Sequence, residues 1–136
     1  MTLRVRFAET DQMGVAHHGA YVVWMEVARV EWMRTLGLSY AALEASGVSM
    51  AVSRIDVRYR HAAHFDDLVR IDCAMTRLRS RYARFEYDIR LEDDTPVASA
   101  LSEHVPTDRR GRAVRLPVAW SDALAPHAAE GPRDAP

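Results

Sequence analysis

The sequence predicts an α+β domain in which an antiparallel sheet of about five strands wraps around one long central helix. A segment from about His18 to Leu36 carries apolar residues on nearly every side, which is typical of an enclosed helix rather than a surface helix. From Val48 to about Leu116 the chain alternates apolar and polar residues in segments joined by short connections, as antiparallel strands with one solvent-exposed face do. An apolar helix and a sheet with one apolar face can bury each other's apolar surface, which predicts this arrangement.

The first element is a short strand, indicated by the alternating apolar residues Leu3, Val5 and Phe7. A loop follows from about residue 8 to residue 17, and the central helix begins at its end. Gly37 is a plausible left-handed residue that ends this helix. Glu26 and Arg29 lie three positions apart on the helix and are expected to pair.

A second, short helix is predicted over residues 39–46, with Ser39 as its N-cap and Gly47 as its terminator. The strand after it changes phase, which indicates a β-bulge near Ser53–Arg54. The remaining strands form a predicted meander whose alternating sets are Val69-Ile71-Cys73-Met75, Phe85-Tyr87-Ile89-Leu91 and Val97-Ser99-Leu101-Glu103-Val105.

Length and composition indicate a single soluble domain. The chain has 136 residues, which suits one domain over residues 1–125, and residues 126–136 are expected to be a disordered tail without function. The net charge of −1 provides no general attraction for nucleic acid or anionic membranes. No signal peptide or membrane span is apparent, so the expected compartment is the cytoplasm. Cys73 is interpreted as a buried small hydrophobe rather than a nucleophile.

The stretch ETDQMGVAHHGAY, residues 9–21, leads directly into the central helix. A helix N-terminus presents unpaired backbone N–H groups and a partial positive charge, which suits an anion or a developing oxyanion. Asp11 could lie opposite those N–H groups, and Gly14 allows the loop backbone to approach closely. A carboxylate facing oxyanion donors is the pair of groups that acyl hydrolysis requires.

Simpler structural roles remain open at this point for the same residues. Asp11 could be a loop or helix-capping carboxylate, His17 and His18 a surface and a capping histidine, and Tyr21 a core residue. A metal site formed by His61 and His64 is not expected, because their spacing at a strand end directs the two rings to opposite faces.

The order of residues resembles the 4-hydroxybenzoyl-CoA thioesterase family of hotdog-fold enzymes, whose signature D-x-x-G-x-x-x-H/Y-x-x-Y leads into the central helix. It is most similar to the bacterial short-chain acyl-CoA thioesterase branch. Three segments carry the resemblance in register: Glu9-Thr10-Asp11 with Gly14, Val15, His18 and Tyr21; Glu26, Ala28, Arg29, Glu31 and Trp32; and Val57, Tyr59, Ala63, Phe65, Asp66 and Asp67. The sequence departs from the family's pattern at Gln12, Met13, His17, Ala20 and Ala62, which bears on acyl preference rather than on activity.

The resemblance implies an acyl-CoA thioesterase with Asp11 as the catalytic nucleophile or general base. The backbone N–H of His18 would polarise the thioester carbonyl, and the His18 side chain is a further catalytic candidate. Gly14 and Tyr21 are the implied substrate-binding residues of this loop. No metal or separate cofactor is implied, because coenzyme A is part of the substrate.

Arginines near the hairpin after the third strand could form a clamp for the phosphates of coenzyme A, although a solvated strand face explains them equally well. Arginine suits this role because it binds phosphate in a bidentate manner. The resemblance favours Arg79, Arg81 and Arg112 for this clamp, with Arg109 and Arg110 as alternatives. It also implies a homodimer with each site at the subunit boundary, or a homotetramer formed as a dimer of dimers.

Three other functions compete with acyl-CoA hydrolysis. The chain could act on acyl groups carried by an acidic acyl carrier protein, or it could be a non-catalytic acyl-CoA-binding module. A hotdog dehydratase is disfavoured, because its usual histidine motif is absent from the helix. The sequence leaves the natural acyl group open.

Overall fold

The structure, a computed structural model, describes residues 1–128 and confirms the predicted fold class. The strands are β1 (Thr2–Arg4), β2 (Ser49–Tyr59), β3 (Leu68–Arg79), β4 (Tyr82–Leu91) and β5 (Pro96–Thr107). The helices are α1 (Ala20–Thr35), α2 (Tyr40–Ala45) and α3 (Val118–Leu124), with 3₁₀ turns at Phe7–Glu9 and Ala125–His127. The five strands form one antiparallel sheet in the order β1-β3-β4-β5-β2.

Helix α1 lies against the inner face of the sheet and buries Trp24, Met25 and Ala28 there. It ends as predicted at Gly37, whose φ is +77°. The Leu38 N–H donates to the Met33 carbonyl at 3.1 Å, which completes a Schellman motif. One side of the helix is open, however, because three valines are exposed in the single chain: Val22, Val23 and Val27.

Helix α2 is capped as predicted, since the Ser39 hydroxyl accepts the Ala42 N–H at 3.2 Å. Gly47 follows the helix with a φ of +94°. The predicted pairing of Glu26 with Arg29 is wrong: within residues 1–128 no such ion pair occurs. Arg29 donates instead to the Tyr87 hydroxyl at 3.2 Å.

The sheet order corrects the predicted meander, because β2 does not pair with β3. Strands β3, β4 and β5 do run consecutively, but β2 joins the far edge beside β5. The predicted bulge in β2 is confirmed by a register shift between Val52 and Arg54. Strand β2 is therefore an edge strand with a single neighbour.

The inner face of β5 is also different from the prediction. Val97, the first residue of the predicted set, is buried, but beyond it Ala98, Ser102 and His104 lie in the core rather than Leu101, Glu103 and Val105. A register shift near the start of β5, where it pairs with the end of β4, changes the phase of alternation.

Both ends of the domain differ from the sequence prediction. Phe7 is exposed in a 3₁₀ turn rather than continuing the first strand. Helix α3 was not predicted, and Pro126 and His127, placed in the expected tail, belong to a 3₁₀ turn in which the His127 ring packs edge-on against Trp32 at 6.3 Å. Residues 129–136 lie outside the described part of the chain.

Candidate active site

The loop that holds Asp11 closes on itself as a tight hairpin. Thr10 pairs with Ala16 in an isolated bridge, and the Asp11 N–H donates to the Val15 carbonyl at 3.0 Å. Gly14 occupies the turn with a φ of +76°, a conformation that L side chains rarely adopt. The requirement for glycine at this position therefore comes from backbone geometry, as the sequence predicted.

The Asp11 carboxyl is half-buried at the edge of this loop. Its Oδ1 atom accepts the Met13 N–H at 2.8 Å, which holds the side chain in a local turn. Within residues 1–128, Oδ2 has no hydrogen-bond donor. One carboxylate oxygen is thus fixed by the loop while the other is available to a bound molecule.

The backbone amides that begin α1 are unequally engaged. The His17 N–H donates to the Glu9 carbonyl at 2.6 Å, and the Ala20 N–H donates to the His17 carbonyl at 2.9 Å. The Gly19 N–H donates to the His17 ring Nδ1 at 3.0 Å. Only the His18 N–H lacks an acceptor in this stretch, considering the described residues alone.

The His18 side chain makes no hydrogen bond with any residue between 1 and 128, and it is exposed. Its ring stacks on that of His17 with centroids 4.0 Å apart. Neither histidine caps α1 with its side chain: the His17 ring accepts the N–H of the N-cap residue Gly19, and His18 presents a free imidazole beside its free amide.

Two tyrosines meet at the start of α1, Tyr59 from the end of β2 and Tyr21 from the helix itself. The Tyr59 hydroxyl donates to the His18 carbonyl at 3.0 Å, and its ring meets that of Tyr21 edge-on at 4.9 Å. Burial raises the pKa of both phenols, so each keeps its proton at neutral pH. Tyr21 is buried in the core, so a role in substrate binding stays a prediction.

Glu9 is a feature of the site to which sequence reasoning assigned no role. Its buried carboxylate accepts the Trp24 indole N–H at 2.6 Å through Oε2 and the Arg6 backbone N–H at 2.8 Å through Oε1. The sequence shows an acidic residue in the motif, but no spacing rule connects it to a tryptophan fifteen positions away.

The predicted arginines lie at the opposite end of the sheet from Asp11. Residues 63–67 lie beside the loop that holds Asp11, because the N–H of Ala16 in that loop donates to the Ala63 carbonyl at 2.7 Å. Arg79 and Arg81 lie at the far end of β3, which is 12 residues long and so spans roughly 36 Å. Arg112 is also remote and forms an ion pair with Asp108 at 3.1 Å.

The remaining titratable candidates have local structural partners. The His61 ring Nδ1 lies 2.8 Å from the Pro96 carbonyl oxygen, and the His64 ring lies 3.7 Å from the Asp67 carboxylate. Between residues 1 and 128 no three His, Cys, Asp or Glu side chains are grouped to hold a metal ion. Burial raises the pKa of the Cys73 thiol to about 12, so it is protonated at neutral pH and a poor nucleophile.

A family model described as the thioesterase-like superfamily matches residues 5–127 of this chain. YneP of Bacillus subtilis (strain 168) is 42% identical over 65 residues, which are 48% of this chain and 47% of YneP. A protein of Escherichia coli O6:H1 named acyl-CoA thioester hydrolase YbgC is 36% identical over 77 residues, 57% of this chain and 58% of that protein. The chain thus matches about half of the length of these two relatives.

Solved structures agree over a larger part of the chain. The crystal structure of a DHNA-CoA thioesterase from Staphylococcus aureus superposes with a TM-score of 0.90 at 27% identity, covering 93% of this chain and 87% of the other. A hypothetical protein from Thermus thermophilus, TT1821, superposes with a TM-score of 0.88 at 35% identity, covering 93% of this chain and 97% of the other.

None of the helices in the described residues 1–128 has the length and apolar character needed to span a membrane.

Proposed function

The chain belongs to the thioesterase-like superfamily, and on that premise we propose that it hydrolyses acyl-CoA thioesters to a free carboxylic acid and coenzyme A. The observation that carries the proposal is that the same loop segment carries two groups without hydrogen-bond partners among residues 1–128. Asp11 has a free carboxylate oxygen, and His18, which follows the second arm of the same loop, has the free amide at the start of α1. No metal or separate cofactor enters this proposal.

In the proposed reaction the thioester carbonyl oxygen accepts the His18 N–H. This amide lies at the positive end of the α1 dipole, which stabilises the negative charge that develops on the oxygen. Asp11 either removes a proton from the attacking water or attacks the carbonyl carbon itself and forms an anhydride that water then cleaves. In both routes the C–S bond breaks, the coenzyme A thiolate leaves and takes up a proton, and the acid is released.

The names of two similar proteins support coenzyme A as the acyl carrier, whereas a relative from Arabidopsis thaliana, 24% identical over 85% of this chain, is named an acyl-acyl carrier protein thioesterase. YbgC and the S. aureus neighbour are both named for CoA thioesters. The narrower placement in the 4-hydroxybenzoyl-CoA branch stays a prediction, as do the acyl group and the cytoplasmic location. Gln12 and Met13, both exposed in the loop beside Asp11, are the residues there that depart from the family pattern.

We also propose that the active unit is a homodimer formed through the β2 edge. This strand offers 11 residues to a partner, whereas the other edge strand, β1, has three. An unpaired edge of this length usually pairs with another strand or is protected. Its inner face and the open side of α1 expose apolar side chains that a partner would bury: Val22, Val23, Val27, Val52, Ile55 and Tyr59. A tetramer stays a prediction.

This dimer would bring together groups that are far apart in one chain. Two β2 strands paired about a two-fold axis run antiparallel, so the end of one lies beside the start of the other. Tyr59, at the end of β2, contacts the start of α1. The partner's β3–β4 hairpin, with its Arg79 and Arg81, would then approach this subunit's Asp11. A phosphate clamp at this hairpin is therefore proposed to act across the dimer.

The direct test is thiol release from a panel of short, long, branched and aromatic acyl-CoAs, with the same acyl groups on acyl carrier protein measured in parallel. We expect CoA substrates to be turned over. Charge reversal at Arg79 and Arg81 that abolishes activity only on the acidic carrier protein would favour the carrier-protein alternative. Binding of acyl-CoA without thiol release from any substrate would favour the non-catalytic module.

Mixed dimers test the shared site. One subunit carries Asp11→Asn and a first affinity tag, the other carries Arg79→Ala with Arg81→Ala and a second tag, and heterodimers are isolated through both tags. If the arginines act across the dimer, one site per heterodimer is intact, so about half of the wild-type activity at low substrate returns. If they act within one chain, neither site is intact and the activity stays at the level of the parent variants.

A further inference from the structure

We propose that Glu9 is a positioning residue for thioester hydrolysis, because its carboxylate and its backbone together hold the Asp11 loop at a set place against the start of α1. This inference rests on the proposed function. Among residues 1–128, Glu9 is the one acidic side chain that is buried, and it lies two positions before Asp11.

The contacts of Glu9 join four parts of the site. Its side chain accepts hydrogen bonds from the Trp24 indole and from the Arg6 backbone, and the Arg6 guanidinium lies 3.3 Å from Oε1. Its carbonyl accepts the N–H of His17 at 2.6 Å. Residue 9 therefore connects the chain before the loop, both arms of the loop and the buried face of α1.

The hydrogen bonds to Glu9 enclose Asp11 and adjoin the amide of His18, the two groups proposed to act on the thioester. The carbonyl bond closes a ring of backbone that contains Asp11, and the free amide of His18 comes directly after that ring. The carboxylate bond then anchors the ring to Trp24, whose ring packs at a tilt against that of Tyr21, with centroids 4.7 Å apart, inside the core. A shift of Glu9 would change the separation of the Asp11 carboxyl from the His18 amide.

Burying a carboxylate is unfavourable unless it is paired, since it removes the charge from water. At Glu9 the charged form is nonetheless favoured. Burial alone would raise the pKa of this carboxyl, but hydrogen bonds from the Arg6 backbone, the Trp24 indole and the Arg6 side chain hold it below its ordinary value. The two short bonds are charge-assisted and directional, which suits a group whose role is to set position.

Glu9→Gln and Trp24→Phe test the link from its two sides. Glutamine has one acceptor oxygen where the carboxylate has two, so one of the two donors loses its partner. Phenylalanine removes the indole N–H and keeps the aromatic contact. We expect each variant to lower kcat by about tenfold to a hundredfold, as small misplacements of reacting groups do, with KM changed by less than about threefold. The double variant should be no slower than the worse single variant.

Matched controls are Glu44→Gln, an exposed carboxylate on α2, and Trp120→Phe on α3. The Trp24 indole proton resonance should lie far downfield in the wild type and move upfield in Glu9→Gln. A role in stability alone would lower the unfolding midpoint and leave kcat of the folded protein unchanged, and that result would overturn the proposal. If Glu9→Gln does not fold, an unchanged kcat in Trp24→Phe overturns it equally. A wild-type protein that releases no thiol defeats the proposed function itself, whereas an active wild type with unaffected variants defeats only the role of Glu9.

Discussion

A buried histidine in the core predicts how the stability of the fold depends on pH. His104 is fully buried on the inner face of β5, where its Nε2 lies 2.8 Å from the Ser102 hydroxyl and its Nδ1 has no hydrogen bond of good geometry among residues 1–128. Burial, aided by the positive charge of Arg29, lowers the pKa of His104 from 6.5 to about 4, although the Met50 backbone partly opposes this shift. The folded chain therefore holds the neutral imidazole.

The sign of the effect follows from proton linkage. Between pH 6.5 and pH 4 the unfolded chain binds a proton at His104 and the folded chain does not, so stability falls as the pH falls through this range. At pH 5 the pH lies about 1.5 units below the unfolded pKa, which corresponds to a loss of about 2 kcal/mol. At neutral pH the histidine makes no contribution of this kind.

Urea unfolding of the wild type and His104→Gln at pH 7 and pH 5 measures this loss. Other groups also titrate in this range, so the test is the difference between the two proteins. The wild type should lose about 2 kcal/mol more than the variant on going to pH 5. The exposed His127→Gln serves as the control and should behave as the wild type. Equal losses in the wild type and in His104→Gln would refute the reasoning.

Two further predictions concern the loop and the arginines. Gly14→Ala and Gly37→Ala should each lower the free energy of unfolding by about 1 kcal/mol, because both glycines have φ near +77° with open space around them. Only Gly14→Ala should also lower kcat. Equal kcat values in the two variants would remove the loop from the mechanism. Arg79→Ala with Arg81→Ala should raise KM for acyl-CoA more than it lowers kcat, as measured by initial rates. An unchanged KM would show that these arginines do not bind the substrate and form only a solvent-exposed surface.

The overall architecture was predictable because the sequence carries strong periodic signals. Apolar residues surround α1 almost completely, β4 alternates without interruption, and β3 alternates from Val69 to Met75. The bulge in β2 was also predictable, since a change of phase is written in the sequence itself. These features depend on local patterns and need no knowledge of which strands are neighbours.

The strand order and the face of β5 were not accessible in the same way. Pairing of β2 with β5 is a long-range choice that alternation alone does not encode. In β5 a register shift near Val97 moves Ser102 and His104 into the core, and polar residues at these positions favour the opposite assignment. Their burial depends on hydrogen bonds between Tyr87 and Ser102 and between Ser102 and His104, which only the folded structure shows.

The candidate site was predictable in part. Asp11, Gly14 and the amide of His18 follow from the motif and from the general properties of a helix N-terminus. The role proposed for Glu9 and the contact of Tyr59 with the helix start do not, because both depend on partners distant in sequence. The placement of Arg79 at the end of the sheet opposite Asp11 likewise emerges only from the three-dimensional arrangement.

The measurement that tests the central claim most directly is turnover of an acyl-CoA substrate by Asp11→Asn, with Asp122→Asn, an exposed carboxylate on α3, as the matched control. Asparagine keeps the acceptor for the Met13 N–H but cannot act as a base or nucleophile. If Asp11 drives the reaction, kcat falls by about two orders of magnitude or more while circular dichroism and the unfolding midpoint stay at their wild-type values. Thiol release from folded Asp11→Asn at the wild-type rate would contradict the account.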